Sequence, residues 1–361
     1  MHALTLLCAS LASICAVEQT IYIGTYTRTG ASQGIYSLRF APDGSPSPAV
    51  LAATLPDPTW LCWSPNRTFL YALGRDVLVA YARAADGALT ERSRQPIVGR
   101  VPCAGEVDPS GRMLVVATYV GGTVESFPLD GIGGIAPSVS SIALAHASRI
   151  DPKRQEKPHA HGVTWTPDGR HVLVPDLGAD RIYIYAADPT TGRLVAHAQH
   201  PWLDLAPGSG PRHAVFSPDG RQLYVIGELD CSITVCTWDA ATATGTPVAR
   251  SALRSPDATG EASGAEVLVH PGGGWVYATV RGDDTVCALP RDAQTGLLGP
   301  VLRTPCGGRT PRHAALAAAG ALLFCGHQDD GTIEVFRTGP GPLEALGRIA
   351  GIAQPVCILV P

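Results

Sequence analysis

The amino-acid sequence predicts an all-β fold, a seven-bladed β-propeller with four antiparallel strands in each blade. Three features support this prediction: a tight-turn motif that recurs along the chain, short β-type segments around each copy, and apolar segments at both chain ends. The 361 residues include 40 Gly and 31 Pro, which suits many tight turns and disfavours long helices. No segment of useful length follows the helical period of apolar residues.

The recurring motif is a turn built on proline followed by aspartate, asparagine, serine or glycine. Proline presets φ at its position, and an Asp-Gly pair accepts the left-handed conformation. The copies are Ser64-Pro65-Asn66, Asp108-Pro109-Ser110-Gly111, Thr166-Pro167-Asp168-Gly169, Ser217-Pro218-Asp219-Gly220, His270-Pro271-Gly272-Gly273 and a degenerate copy without proline, Ala317-Ala318-Ala319-Gly320. They recur about every 51 residues, which indicates one repeated supersecondary unit.

One predicted strand precedes each turn, and two more, rich in β-branched and aromatic residues, follow it. A fourth, less regular strand completes the unit. The strands directly after the turns are 69–72, 113–117, 171–174, 223–226, 275–279 and 321–324. The third strands are 77–81, 123–127, 181–185, 232–237, 285–289 and 332–336. With the strand that precedes each turn, such as 214–216, the repeat has the four strands of a propeller blade.

The two chain ends supply the seventh blade. Segments 21–24 and 34–38 have the pattern of its outer strands, and the apolar segment 356–360 has the pattern of an innermost strand. Closing the ring with strands from both ends leaves no open sheet edge at the seam. We therefore predict one propeller domain over residues 18–361.

The first 17 residues are apolar and carry no charged side chain, which predicts a signal peptide. The alternative is a misassigned start codon in front of a cytoplasmic protein, because no Lys or Arg precedes the apolar segment and the cleavage context Ile14-Cys15-Ala16 is imperfect. The segment is too short to be a good membrane-spanning helix. We predict a periplasmic or secreted protein, with a cytoplasmic location as the alternative.

The net charge and the cysteine spacing argue against several classes of ligand and cross-link. A net charge of −4 without a basic run gives no reason to expect nucleic acid. The 10 cysteines form no Cys-x-x-Cys pair, so neither a disulfide framework nor a zinc site is predicted. We expect a monomer that acts on a small anionic substrate, with no cofactor, no metal ion and no membrane partner.

Equivalent positions of the repeats carry charged residues on the ring face opposite the turns. Six residues before the turn proline, or its equivalent, lie His161, Arg212 and Arg312, and ten residues after it lie Glu228, Arg281 and Gln328. Because the first two strands of a blade are its innermost, these side chains should converge at the mouth of the central channel, near His159 and Glu266. The histidines after the two arginines, His213 and His313, should point away from the channel. The charged insertion 151–158 is predicted to be mainly a solvated loop at the rim of this site.

Several motifs together resemble the seven-bladed propeller lactonase family, which includes the propeller-type 6-phosphogluconolactonase and the fungal carboxy-cis,cis-muconate cyclase. They are Tyr22-Ile23-Gly24-Thr25-Tyr26-Thr27, Pro158-His159-Ala160-His161, Gly210-Pro211-Arg212-His213, Ala265-Glu266 with Arg281, and Thr310-Pro311-Arg312-His313. The resemblance covers about residues 20–361. It implies a seven-bladed fold and lactone chemistry. Two departures are the proline-free turn at 317–320 and Gly326-His327-Gln328, where many members have an Asn-centred motif.

The proposed site of the cyclase would carry over onto His161, Arg212, Glu228 and Arg281, which the resemblance implies as catalytic residues. Lactone hydrolysis needs a positioned water, a base and positive charge at the developing oxyanion. Either Glu228 or His161 could be the base, while the two arginines hold an anionic substrate. Ring closure of a muconate would use the same residues, with His161 or Glu228 delivering a proton to carbon.

The predicted function is therefore hydrolysis of a small anionic sugar lactone, as in 6-phosphogluconolactonase. Substrate-binding roles are predicted for His159, Glu266, Arg312 and Gln328. Two alternatives stay open: a muconate-type lactonizing cyclase, and a non-catalytic exported propeller that binds or scaffolds a partner, because propellers host many unrelated roles. In the second case the arginines would only fasten adjacent blades by bonding backbone carbonyls.

Overall fold

The computed structural model describes residues 19–40 and 46–361, which form seven antiparallel sheets arranged as the blades of a propeller. The predicted fold class is confirmed. Six blades have four strands each, and the fourth has a fifth strand that pairs with its third. No helix in these described ranges is long and apolar enough to span a membrane. The predicted signal peptide, residues 1–17, lies outside the described residues.

The strands follow the chain from blade to blade. Blade 1 has β1 (Gln19–Thr25), β2 (Gly34–Phe40), β3 (Val50–Thr54) and the last strand of the chain, β29 (Pro355–Leu359). Blade 2 has β4 (Trp60–Trp63), β5 (Phe69–Leu73), β6 (Val77–Arg83) and β7 (Leu89–Pro96). Blade 3 has β8 (Pro102–Val107), β9 (Met113–Thr118), β10 (Thr123–Pro128) and β11 (Ser140–Ala143). Blade 4 has β12 (Thr164–Trp165), β13 (His171–Asp176), β14 (Arg181–Asp188), β15 (Arg193–Ala196) and β16 (Trp202–Asp204).

The remaining three blades have four strands each. Blade 5 has β17 (Pro211–Phe216), β18 (Gln222–Gly227), β19 (Ser232–Asp239) and β20 (Thr244–Ala252). Blade 6 has β21 (Ser263–Val269), β22 (Trp275–Arg281), β23 (Thr285–Pro290) and β24 (Leu302–Pro305). Blade 7 has β25 (Pro311–Ala317), β26 (Leu322–His327), β27 (Thr332–Arg337) and β28 (Glu344–Ala350).

The recurring turn has a local cause. In blade 5 the Ser217 hydroxyl donates to Asp219 Oδ1 at 2.6 Å, and Gly220 takes the left-handed conformation with φ of 70°. The amide of Gly220 donates to the Ser217 carbonyl at 2.9 Å and closes the turn. The degenerate copy forms a short 3₁₀ turn, Ala318–Gly320, in which Ala319 has φ of 54°. Because an L side chain disfavours that region, blade 7 has the less favourable turn.

The chain ends close the ring as predicted. Strand β29 pairs antiparallel with β1, with Ile23 opposite Ile358. Apolar side chains from blades 7 and 1, including Phe40 and Phe324, pack into one buried cluster across the seam. The seam is therefore held by strand pairing and by apolar burial.

Irregularities in the innermost strands determine which side chains face the channel. The pairing register shifts between Pro211 and His213 in β17, and between the equivalent residues in β25. Such a bulge breaks the alternation of side chains, so two consecutive residues need not point to opposite sides. The prediction that His213 and His313 point away from the channel is wrong, because their rings lie 5.2 and 5.5 Å from that of Trp60 in blade 2.

Candidate active site

The four predicted catalytic residues lie together at one end of the channel. Oε2 of Glu228 is 3.0 Å from Arg212 Nε, 3.1 Å from Arg281 Nη2 and 3.7 Å from His161 Nε2. These side chains come from blades 4, 5 and 6 and line one cavity of about 330 Å³. We call this cavity the mouth pocket. The convergence expected from the repeat register is therefore present in the structure.

Backbone contacts hold three of these residues in place. Arg212 lies in the bulge of β17, and its Nη1 donates to the Ala265 carbonyl of blade 6 at 2.5 Å. Arg281 ends β22, and its Nη2 donates to the Gly264 carbonyl at 2.8 Å. The amide of Glu228, just after β18, donates to the Gly210 carbonyl at 2.8 Å. Both arginines thus bond carbonyls, as a structural role requires, and face the carboxylate as well.

The charge states follow from burial and proximity. Burial alone would raise the pKa of Glu228, but Arg281, His161, Arg212 and Arg154 together lower it well below its usual value, so the carboxylate is ionised. Burial, followed by the charge of Arg212, lowers the pKa of His161 well below 6.5. His161 is therefore a neutral imidazole at neutral pH. Burial also lowers the pKa of Arg212 to about 10, which leaves that guanidinium charged.

The site contains unused hydrogen-bonding capacity. Four of its buried atoms have no hydrogen-bond partner among the described residues: His161 Nδ1, Arg212 Nε, Glu228 Oε2 and Arg281 Nε. The ion pairs to Oε2 are close in distance but lack hydrogen-bond geometry. Folded proteins rarely leave such groups unpaired, and a cluster of them needs an explanation. A polar ligand in the mouth pocket would provide the missing partners.

The predicted substrate-binding residues are divided between the pocket and its surroundings. Arg312 lines the pocket, with its guanidinium 5.5 Å from the centre of the Tyr26 ring. His159 does not line it: its ring stacks on Tyr119 and its Nδ1 donates to the Tyr119 carbonyl at 2.9 Å. Gln328 does not line it either, because its amide turns to the Asp329 carboxylate at 3.2 Å. Direct substrate contact is thus retained as a prediction for Arg312 alone of these three.

Glu266, the fourth predicted substrate-binding residue, does not line the mouth pocket and lies deeper in the channel. Its Oε1 accepts from His213 Nδ1 at 2.9 Å, and its Oε2 is 3.4 Å from His313 Nε2. Burial alone would raise the pKa of Glu266, but its contacts with His213 and His313, the hydrogen bond from His213 and the charge of Arg212 together lower it to about 2. We call these three residues with Trp60 the channel plug, because the indole and both imidazoles meet across the channel. Trp60 and His313 also line the mouth pocket, so the plug borders it directly.

Among the residues of the mouth pocket that sequence reasoning missed, Arg154 and Tyr119 contact the predicted catalytic residues. Arg154, from the insertion 151–158, donates through Nη2 to Glu228 Oε1 at 2.5 Å and to the Tyr119 hydroxyl at 3.0 Å. Tyr119 lies ten residues after the turn proline of its blade, the register shared by Glu228 and Arg281. That register is the signal that could have identified Tyr119. Arg154 has no equivalent in the other repeats.

The His159-Ala160-His161 segment does not gather metal ligands. The two imidazoles have different partners, since His159 Nε2 lies 3.2 Å from Glu156 and His161 faces Glu228. No group of three or more His, Cys, Asp or Glu side chains suited to a metal ion occurs within residues 19–40 and 46–361.

Comparisons with known proteins agree with this fold. The family described as "Lactonase, 7-bladed beta-propeller" matches residues 20–360. The chain is 30% identical to a 6-phosphogluconolactonase of Bacillus subtilis over 345 residues, covering 93% of this chain and 97% of the relative. It is 24% identical to a 6-phosphogluconolactonase of Formosa agariphila over 327 residues, covering 88% and 92%.

A solved structure is also similar to this chain over nearly its whole length. The structure described as the periplasmic gluconolactonase of Pseudomonas aeruginosa superposes with a TM-score of 0.89 at 27% identity, covering 95% of this chain and 99% of that one. The prediction of an enzyme that hydrolyses lactones is confirmed at the level of the family. The chain belongs to the lactonase family of seven-bladed β-propellers.

Proposed function

We propose that this protein hydrolyses a small anionic sugar lactone, of the kind that 6-phosphogluconolactonases use, in the mouth pocket. The observation that carries the proposal is the charge of the pocket. Among the described residues, its lining includes five arginines and one carboxylate: Arg28, Arg154, Arg212, Arg281, Arg312 and Glu228. A concave site with this surplus of positive charge favours an anion and raises its local concentration.

The geometry supports hydrolysis by an activated water. His161, neutral at working pH, takes a proton from the water as its oxygen attacks the lactone carbonyl. The ionised Glu228, 3.7 Å away, stabilises the resulting imidazolium. Arg212 and Arg281 stabilise the negative charge that develops on the carbonyl oxygen. The ring C–O bond then breaks, His161 returns the proton to the leaving oxygen, and the product is the open hydroxy acid.

The alternative assignment of the base to Glu228 has less support. Its carboxylate faces three guanidinium groups, which lower its pKa and make it a weak proton acceptor. A neutral imidazole with an unpaired buried nitrogen is the better acceptor at neutral pH. The proposal therefore gives Glu228 the role of an electrostatic partner of His161.

Hydrolysis of a panel of lactones, followed by acid release at constant pH, tests the function. The panel contains a phosphorylated aldonolactone, the matching unphosphorylated lactone and a muconolactone, each compared with its rate in buffer. We expect the anionic sugar lactone to have the highest kcat/KM. Rates equal to buffer for every lactone would contradict the proposal, and isomerisation of the muconolactone alone would favour the cyclase.

We also propose that the protein is exported. The apolar segment 1–17 and the periplasmic description of the Pseudomonas aeruginosa structure support this location. Amino-terminal sequencing of the protein from its native host provides the test. A mature end close to residue 18 is expected, whereas an intact Met1 would contradict export by a cleaved signal peptide.

A further inference from the structure

The two carboxylate oxygens of Glu228 have different neighbours. Oε2 faces Arg212 and Arg281 of the ring, at 3.0 and 3.1 Å. Oε1 accepts a 2.5 Å hydrogen bond from Arg154, and no other described residue donates to it. The carboxylate is therefore shared between two arginines of the blades and one arginine of the inserted loop.

The three arginines differ in how firmly they are held. The side chains of Arg212 and Arg281 are 4% and 14% exposed, and each donates to a backbone carbonyl. The side chain of Arg154 is 38% exposed, and it donates to no backbone carbonyl in the described part of the chain. Arg154 is thus the guanidinium that can leave the carboxylate without breaking the framework of the blades.

The backbone that carries Arg154 is fixed. The neighbouring Gln155 is fully buried, and its amide donates to the Leu177 carbonyl at 2.9 Å and to Asp180 Oδ1 at 2.8 Å. At the start of the loop, Asp151 Oδ1 accepts from the backbone amide of Arg154 at 3.0 Å. The loop therefore keeps the Cα of Arg154 at the rim, and motion is left to the long side chain.

We propose, on the basis of the anionic-lactone function above, that Arg154 selects anionic substrates by exchanging partners. In the free enzyme it pairs with Glu228 Oε1. When a substrate binds, its guanidinium turns to the distal anionic group of that substrate. Glu228 then remains paired with Arg212 and Arg281 through Oε2.

The chemistry of the guanidinium suits this exchange. Its planar fork can bond two oxygens of a phosphate or carboxylate at once, which a lysine ammonium cannot reproduce. Three guanidinium groups around one carboxylate leave positive charge for a second anion, and of these three only Arg154 can reach outward for it. An uncharged lactone offers no such partner, so Arg154 would stay on Glu228 during its turnover.

Kinetics with three lactones test the exchange: one with a phosphate, one with a second carboxylate and one uncharged. In Arg154→Met we expect kcat/KM to fall about 10- to 100-fold for the two anionic lactones, the size of a lost charge-assisted contact, and about 3-fold or less for the uncharged one. Lys153→Met removes the same charge from an exposed neighbour and should leave all three values unchanged. A loss of equal size for all three lactones in Arg154→Met would overturn the proposal.

The pH profile gives a readout that a merely structural role would not move. Loss of the Arg154 cation removes one of the groups that hold down the pKa of Glu228. The acid limb of kcat/KM for the uncharged lactone should therefore move to higher pH in Arg154→Met and stay in place in Lys153→Met. Coincident acid limbs in the two variants would contradict the pairing of Arg154 with Glu228.

Binding of inorganic phosphate, measured by calorimetry, separates this proposal from the proposed hydrolysis. If the wild type hydrolyses no lactone, the proposed hydrolysis is wrong. The phosphate affinity still tests whether Arg154 binds an anionic group. We expect the phosphate Kd to weaken by about tenfold or more in Arg154→Met and not in Lys153→Met. Equal Kd values in both variants, or no phosphate binding by the wild type at millimolar concentration, would overturn the role of Arg154.

Discussion

Two buried carboxylates in the same channel differ sharply in their surroundings. Glu228 in the mouth pocket faces three guanidinium groups, from Arg154, Arg212 and Arg281. Glu266 in the channel plug faces two imidazoles. Burial lowers the pKa of both histidines of the plug, in the case of His313 to about 4, so both are neutral at neutral pH.

This difference indicates that Glu228 belongs to a binding site and that Glu266 belongs to a structural cluster. Around Glu228 the fixed positive charges exceed the negative charge, and several buried polar atoms have no partner. Such a site is stable only if an anion or water completes it. Around Glu266 a hydrogen bond from His213 and aromatic contacts to Trp60 form a compact cluster, in which one carboxylate oxygen, Oε2, lacks a hydrogen-bond partner among the described residues and lies 3.4 Å from His313 Nε2. We infer that catalysis belongs to the mouth pocket and that the plug supports it from below.

The largest effect is expected for Glu228→Gln. The amide cannot stabilise an imidazolium on His161, so kcat should fall by roughly 10²- to 10⁴-fold. Three guanidinium groups also lose their counterion, which should lower the free energy of unfolding by about 3–5 kcal/mol. Kinetics on protein that circular dichroism shows to be folded, together with chemical denaturation, measure both effects. Turnover within tenfold of the wild type would remove Glu228 from the mechanism.

The pH dependence of stability is expected to report on the channel plug. The pKa of His313 is about 4 in the folded protein, below its value of about 6.5 in an unfolded chain. Between these values the unfolded chain binds a proton that the folded one does not, so stability is present above pH 6.5 and is lost as the pH falls. For this group the loss amounts to about 3 kcal/mol at most.

Comparison of the wild type with His313→Gln isolates that contribution. Urea denaturation between pH 4 and 7 should show that the free energy of unfolding depends less steeply on pH in the variant. The difference in slope should correspond to at most one bound proton. Other groups that face this ring, including Glu266, His213, Arg212 and Arg312, are present in both proteins. Parallel curves for the two proteins would show that His313 does not titrate in this way.

A smaller effect is expected for Glu266→Gln. Unlike Glu228→Gln, this change should lower the stability of the fold more than it lowers turnover. His213 would lose its anionic acceptor, and the free energy of unfolding should fall by about 1–3 kcal/mol. Because Glu266 does not line the mouth pocket, kcat should change by less than about tenfold. Denaturation and steady-state kinetics on the same preparation provide the comparison. A loss of turnover like that of Glu228→Gln would mean that the two carboxylates act as one unit.

The smallest effect is expected for Gln328→Ala. The side chain is partly exposed and, among residues 19–40 and 46–361, bonds only to Asp329, outside the mouth pocket. Both KM and kcat should stay within about twofold of the wild type, as for a surface change. A clear rise in KM would restore Gln328 as a substrate ligand and would require blade 7 to reach into the pocket.

The repeat made the fold and much of the site predictable. The turns are fixed by local contacts such as Ser217 with Asp219, so the same pattern locates blades 2 to 6, and a degenerate copy locates blade 7. Equal register then brought His161, Arg212, Glu228 and Arg281 to one mouth. The bulge in β17 was not predictable from alternation alone, because one extra residue reverses the direction of His213.

Arg154 escaped prediction for a different reason. The insertion 151–158 has no counterpart in the other blades, so the repeat register gives no information about its side chains. Its direction depends on distant contacts, in particular on Gln155 with Asp180. Glu266 likewise bonds His213, whose ring packs against Trp60 from a different blade. Contacts between residues so far apart in the sequence cannot be predicted from the spacing of the repeated turns.

The most direct test of the account is the ratio of kcat/KM for His161→Gln to that for Glu266→Gln on the same anionic lactone. His161 has an unpaired Nδ1 in the mouth pocket, so its replacement should remove proton transfer with little loss of stability. We predict a loss of roughly 10²-fold or more for His161→Gln and of less than about tenfold for Glu266→Gln. Equal losses, or a larger loss for Glu266→Gln, would contradict the assignment of catalysis to the mouth pocket.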